Sequence, residues 1–81
     1  MNREELMTRL EEERINPRYY SIFGYTESPI EEQCVLQKEG DKWAVYYLER
    51  GQKTGLKMFE YEDEACRHFL EDILSYPDLR F

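Results

Sequence analysis

The dipeptide Gly40-Asp41 constrains this chain more than any other feature, because it separates two runs that read as strands, Gln33–Glu39 and Lys42–Glu49. Glycine accepts positive φ without steric cost, so a two-residue hairpin turn is expected here. Pairing Glu39 with Lys42 then fixes the other pairs: Leu36 opposes Val45 and Cys34 opposes Tyr47, with Trp43 on the same side. That side is predicted to face the core. Ala44, Tyr46 and Leu48 point the other way and form an outer face apolar enough to require cover by a helix or contact with a partner.

The second firm element lies at the C-terminal end. Ala65, Cys66, Phe69, Leu70, Ile73 and Leu74 recur at spacings of four and three, Glu62, Asp63 and Glu64 stand at the positive end of the helix dipole, and Pro77 stops the helix. Arg67, His68, Glu71 and Asp72 fall on its polar face, where His68 is expected to be exposed. With six apolar positions, this helix is expected to cover the sheet face carrying Trp43, Val45 and Tyr47.

A further helix is predicted from Asn2 to about Ile15, with Asn2 as N-cap, Glu5 as its capping-box partner and Asn16-Pro17 as its end. Its apolar stripe of Leu6, Met7 and Leu10 is narrow, which predicts packing at the edge of the core. Tyr19–Phe23 reads as a short strand and Gly24–Glu32 as a loop. Arg50–Gly55, with two glycines, suits a turn longer than two residues that leads into a fourth strand, Leu56–Glu60. The sequence leaves open whether Met58 or Phe59 faces the core. The expected fold is therefore α+β: an antiparallel four-stranded meander with an N-terminal and a C-terminal helix packed on it, one domain spanning residues 1–81.

Composition supports a folded chain. A domain this small buries only about 60–65% of the surface its unfolded chain exposes. Large side chains must supply the core, and four Phe, seven Tyr and one Trp provide them. No apolar run approaches the roughly 18–20 residues of a membrane span and the N-terminus lacks an apolar signal-type stretch, so a cytoplasmic location is expected. Cys34 and Cys66 sit inside apolar patterns and read as reduced, buried thiols.

Eleven basic against eighteen acidic residues give a net charge of −7. Such a balance disfavours nucleic acid and anionic membranes and favours either solubility or a basic partner. The charge is polarised: Glu49–Lys57 carries Arg50, Lys53 and Lys57 against Glu49, whereas Glu60–Asp72 carries six acidic residues against Arg67.

The residue inventory points away from catalysis. His68 is the only histidine, the thiols are buried and therefore poor nucleophiles, and the carboxylates lie on solvated helix faces. Neither C-x-x-C spacing nor a phosphate-binding glycine motif occurs. No catalytic, metal-ligating or cofactor-binding residue is assigned, and no cofactor is expected. A protein partner is expected instead, with three candidate surfaces: the sheet tyrosines Tyr20 and Tyr46, the basic turn with Arg50, Lys53 and Lys57, and the final helix with Glu64, His68, Glu71 and Asp72. Tyr19 and Tyr47 are further candidate anchors, since tyrosines are rigid and amphipathic.

The segment from Asn16 to Leu74 resembles small immunity proteins of bacterial polymorphic-toxin systems. The likeness rests on Asn16-Pro17-x-x-Tyr20-Ser21, on the strand Trp43-x-Val45-Tyr46-Tyr47, on the turn Glu49-Arg50-Gly51-x-Lys53-x-Gly55-Leu56, and on the helix Glu64-Ala65-Cys66-x-x-Phe69-Leu70. These are scaffold residues, so the likeness assigns no toxin contact. It implies a small, acidic, cytoplasmic protein that neutralises a cognate toxin by direct binding, such as by capping a toxin domain's basic cleft. The alternative expectation is a structural or regulatory module that self-associates or docks in a larger complex through the face of Ala44, Tyr46 and Leu48.

Overall fold

The first helix, α1 (Arg3–Glu12), begins as its capping box dictates: the Asn2 side chain accepts from the Glu5 backbone N–H, and the Glu5 carboxylate accepts from the Asn2 N–H. It ends earlier than Ile15. Arg14 adopts φ 59°, and the N–H groups of Arg14 and Ile15 donate to the carbonyls of Glu11 and Leu10, closing the last turn in a Schellman arrangement. This computed structural model describes all residues from Met1 to Phe81.

A 3-10 turn at Pro17–Tyr19, capped by the Asn16 side chain, leads into strand β1 (Tyr20–Ile22). Strands β2 (Gln33–Glu39), β3 (Lys42–Glu49) and β4 (Gln52–Phe59) follow, and helix α2 (Glu62–Leu74) closes the chain. The sheet order is β1-β2-β3-β4. The β2–β3 hairpin forms with the expected register, Glu39 against Lys42, Leu36 against Val45 and Cys34 against Tyr47.

The sheet is mixed, which corrects the expected all-antiparallel meander: β1 runs parallel to β2, with Tyr20 beside Cys34 and Ile22 beside Leu36. Because β1 has only three residues, the loop Phe23–Glu32 is long enough to recross its length and start β2 level with Tyr20. Specific hydrogen bonds hold that return path. Thr26 Oγ1 accepts from the Ile22 N–H, Ser21 Oγ donates to the Glu27 carbonyl, and the Gln33 amide joins the Ile30 N–H to the Arg18 carbonyl.

The β3–β4 turn also differs from expectation. It is a two-residue turn at Arg50-Gly51, both at positive φ (52° and 73°), so β4 starts at Gln52. The Glu31 carboxylate accepts from both turn N–H groups and holds the turn in place. Gly55, at φ 67°, supplies the extra residue of a bulge: Val45 pairs with Lys57 but Tyr47 pairs with Thr54. The second glycine thus belongs to the strand and not to a longer loop.

Both helices lie on one face of the sheet. Leu6, Leu10, Ile15, Tyr20, Ile22, Cys34, Leu36, Trp43, Val45, Ala65, Cys66, Phe69, Leu70 and Ile73 form one buried cluster, with Tyr47 and Phe59 packed against it. Phe59 is therefore the core-side residue, while Met58 is exposed. Leu6 and Leu10 are fully buried, contrary to the edge position inferred from the narrow stripe. Two residues suffice because α1 lies against α2 and shares the cluster with Tyr20 and Ile22, so α2 and β1 supply the apolar surface that α1 lacks.

Arg3 joins these elements. Its Nε and backbone N–H both donate to one Glu62 carboxylate oxygen, at 2.8 and 2.9 Å, and Nη1 donates to the Phe23 carbonyl at 2.9 Å. The guanidinium carbon lies 4.9 Å from the Trp43 ring centroid and 5.6 and 5.5 Å from those of Phe23 and Tyr25. No helix is long and apolar enough to cross a membrane.

Candidate functional site

The sheet-face tyrosines named from sequence divide between core and surface. Tyr20 is in the core cluster beneath α1 and cannot serve as a surface anchor. Tyr46 points to the outer face as expected, yet it is only 7% exposed. Lys53 crosses its ring, with Nζ 5.1 Å from the centroid, and pairs with Glu39 at 2.9 Å. Val35, Ala44 and Tyr46 form a second small core, with Leu48 packed against it, and Ser21 beside Val35 is tied to the overlying loop. The outer face is thus covered by the protein's own polar side chains and loop, not by a helix.

The other candidates are dispersed. Arg50 occupies the hairpin turn, Lys53 is committed to Glu39, and Lys57 is exposed on β4 without an ion pair. The hydrogen bond and charge of Glu39 hold the Lys53 ammonium above its ordinary value. Glu64 and Glu71 are exposed on α2 and form no ion pair. His68 is not the free surface side chain expected: it packs on Phe59 with centroids 5.2 Å apart, its Nε2 is 3.3 Å from Asp72 Oδ2, and its side chain is mostly covered. Phe59, at the end of β4, draws the imidazole down onto the sheet.

Among the basic-turn and α2 candidates, Asp72 alone borders a concave site. The hollow lies where α2 ends and the core face of the sheet emerges from beneath it, and it has two adjoining lobes of about 210 and 140 Å³. Cys34, Tyr47 and Tyr76 line both lobes. Arg18, Tyr19, Glu32 and Leu79 complete the first; Thr54 and the Gly55 bulge on β4, with Phe69 and Asp72 from α2, border the second. Tyr46 also borders it, although its side chain belongs to the other face.

Local structure explains each position. The 3-10 turn at Pro17–Tyr19 sets Arg18 and Tyr19 at the mouth, with Arg18 stacked over the Tyr19 ring at 5.4 Å. Glu32, at φ 63°, ends the β1–β2 loop and donates its N–H to the Leu48 carbonyl. Ser75 caps α2, and the following Tyr76 folds back so that its ring stacks on Tyr47, with centroids 6.1 Å apart and planes 30° apart.

The cleft combines aromatic faces with negative potential. Burial pushes the Tyr47 hydroxyl above its ordinary value, and the carboxylates of Glu32 and Glu49 push it further. Burial, Cys34 and Asp72 do the same for Tyr76. Both phenols therefore stay protonated and able to donate. At the base, burial followed by Asp72 pushes the Cys34 thiol up to about 12, which leaves it inert. Cys66, fully buried on the core side of α2, is likewise pushed up to about 12, chiefly by burial.

Sequence reasoning named Tyr19, Tyr47 and Asp72 but did not bring them together, and it missed Tyr76 and Glu32. Tyr76 stands beside the helix stop Pro77, where an aromatic residue at a chain reversal was the available signal. No group of three or more His, Cys, Asp or Glu side chains is placed to hold a metal ion. Comparison with family models, curated proteins and solved structures finds no match.

Proposed function

We propose that this chain is a non-catalytic protein-binding module that captures a basic partner, acting as an immunity protein that neutralises a bacterial toxin by direct binding in the cytoplasm. The observation that carries this reading is the tyrosine cleft lined by Glu32 and Asp72, with the charge of Glu49 also acting on Tyr47, on a protein of net charge −7. The two adjoining lobes, of about 210 and 140 Å³, are each of a size to take one or two partner side chains. Tyrosine anchors within a polar rim are the make-up of protein interface centres.

Three features favour binding over catalysis. The thiols are held protonated, His68 is packed on Phe59 beside Asp72, and the carboxyls clearly displaced from their ordinary values, Glu13, Glu62 and Asp63, are all displaced downward. A general acid needs the opposite displacement. The test is co-expression with the product of the adjacent gene. Rescue of growth and a stable complex are expected; a neighbour without a toxin domain, together with no rescue from any neighbouring product, overturns the proposal.

A second reading, self-association, is favoured by a different surface. Strand β4 forms an edge of the sheet with Gln52–Met58 all exposed, including Leu56 and Met58. Lys53, Lys57 and the Gly55 bulge are features that guard such edges against pairing, which places this reading second. Light scattering at high concentration decides it: a dimer supports self-association and a strict monomer removes it.

A further inference from the structure

We infer that the cleft between Tyr47 and Tyr76 receives an arginine side chain of the partner, stacked on the tyrosine rings and hydrogen-bonded by Asp72 and Glu32; this rests on the protein-binding reading above. The chain itself shows how it holds guanidinium groups. Arg3 lies over Trp43 at 4.9 Å and donates to Glu62, and Arg18 lies over Tyr19 at 5.4 Å. Aromatic face plus carboxylate is therefore a combination this fold already uses for a planar cation.

The cleft offers the same combination facing outward. Tyr76 is 41% exposed, Tyr47 is part-buried against it, and Asp72 and Glu32 line the adjoining lobes. Among the lining residues, Glu32 and Asp72 against Arg18 give two negative charges to one positive, and the charge of Glu49 adds to the negative potential at Tyr47. Because Arg18 lies over Tyr19 at the mouth of the first lobe, the strongest attraction for a cation falls toward Tyr76 and Asp72. Arginine fits better than lysine, because its flat, weakly hydrated fork stacks on a ring while its edge donates to a carboxylate.

The test uses the full chain, labelled for amide NMR and titrated with the peptides acetyl-Arg-Arg-Arg-amide, acetyl-Lys-Lys-Lys-amide and the tri-citrulline analogue. Expected are saturable shifts centred on Tyr47, Thr54, Tyr76 and Leu79 with the arginine peptide, weaker binding of the lysine peptide, and none of the citrulline peptide. Tyr76→Ala should weaken the arginine peptide at least ~10-fold. A double variant, Glu32→Gln with Asp72→Asn, leaves the core untouched and should do the same, so the test survives if Tyr76→Ala does not fold. Shifts spread along Glu64 and Glu71 that persist in these variants overturn the assignment, as does equal binding of the lysine or citrulline peptide. The two proposals fail separately. Toxin rescue that survives Tyr76→Ala, with no peptide bound, removes the arginine site and leaves the immunity reading. Peptide bound in the cleft without rescue does the reverse.

Discussion

Replacing Arg3 with alanine should lower stability by about 2–3 kcal/mol. The side chain is one-quarter exposed and its partner Glu62 less than one-third, so solvent screens the pair only in part. That ion pair contributes about 0.5–1 kcal/mol, the Phe23 carbonyl bond about 1, and the contact with Trp43, Phe23 and Tyr25 about 0.5–1. Unfolding entropy near 60 °C is about 2.1 cal/mol/K per residue, or about 170 cal/mol/K for 81 residues. The melting temperature should therefore fall by about 12–18 °C, read by far-UV circular dichroism at pH 7. Arg3→Lys should recover less than half of the loss, because an ammonium has neither the fork that serves Glu62 and Phe23 together nor a plane to lay on Trp43. A fall below about 4 °C for Arg3→Ala, or a lysine variant equal to wild type, would show that Arg3 contributes no more than an exposed ion pair and refute the reasoning.

Acid should destabilise the fold through the same carboxylate. Burial pushes Glu62 up, but the two hydrogen bonds and the charge of Arg3 outweigh it and hold the group below its ordinary 4.5; Glu13 is held low first by its hydrogen bond from Arg80. The unfolded chain then binds protons first on acidification, so stability is full above about pH 4.5 and lost as pH falls through the folded values. Melting temperatures that stay level from pH 5 to pH 3 would contradict this. The two thiols, raised from 9.0 to about 12, carry about 1,000-fold less thiolate than ordinary cysteines. Their reaction with a disulfide reagent at pH 8 should be at least ~100-fold slower in the native protein than in denaturant, and equal rates would mean the thiols are not buried. Gly55→Ala meets no atom within 4 Å, so its cost is purely that of left-handed backbone, about 1 kcal/mol or about 6 °C in a thermal melt. An unchanged melting temperature would show that left-handed backbone at position 55 carries no cost for alanine.

Local patterns were legible in the sequence. The register from Glu39–Lys42 to Cys34–Tyr47 follows from one turn dipeptide and alternation, and α2 from the spacing of Cys66, Phe69 and Ile73. The direction of β1 was not legible, because three residues carry no alternation signal and its pairing depends on the path of a ten-residue loop held by Ser21, Thr26 and Gln33. The burial of Tyr46 under Lys53 and Glu39 depends on side chains from two other strands, so its outward position in the pattern misled. Of the candidate cleft only Tyr19, Tyr47 and Asp72 were legible, and only as separate residues; with Glu32 and Tyr76 they come from five segments and meet only after the sheet and α2 are packed.

The parallel pairing of β1 also sets an order of events. Strands β2, β3 and β4 are joined by two-residue turns and can zip together within microseconds, without waiting for distant chain. β1 must close a gap of fourteen residues to meet Cys34 from Tyr20, and Arg3 must find Glu62 across fifty-nine. Substitutions in the two hairpins should therefore slow folding, whereas those at Tyr20 or Arg3 should mainly quicken unfolding. The N-terminal quarter of the chain should then be the last to arrive and the first to leave.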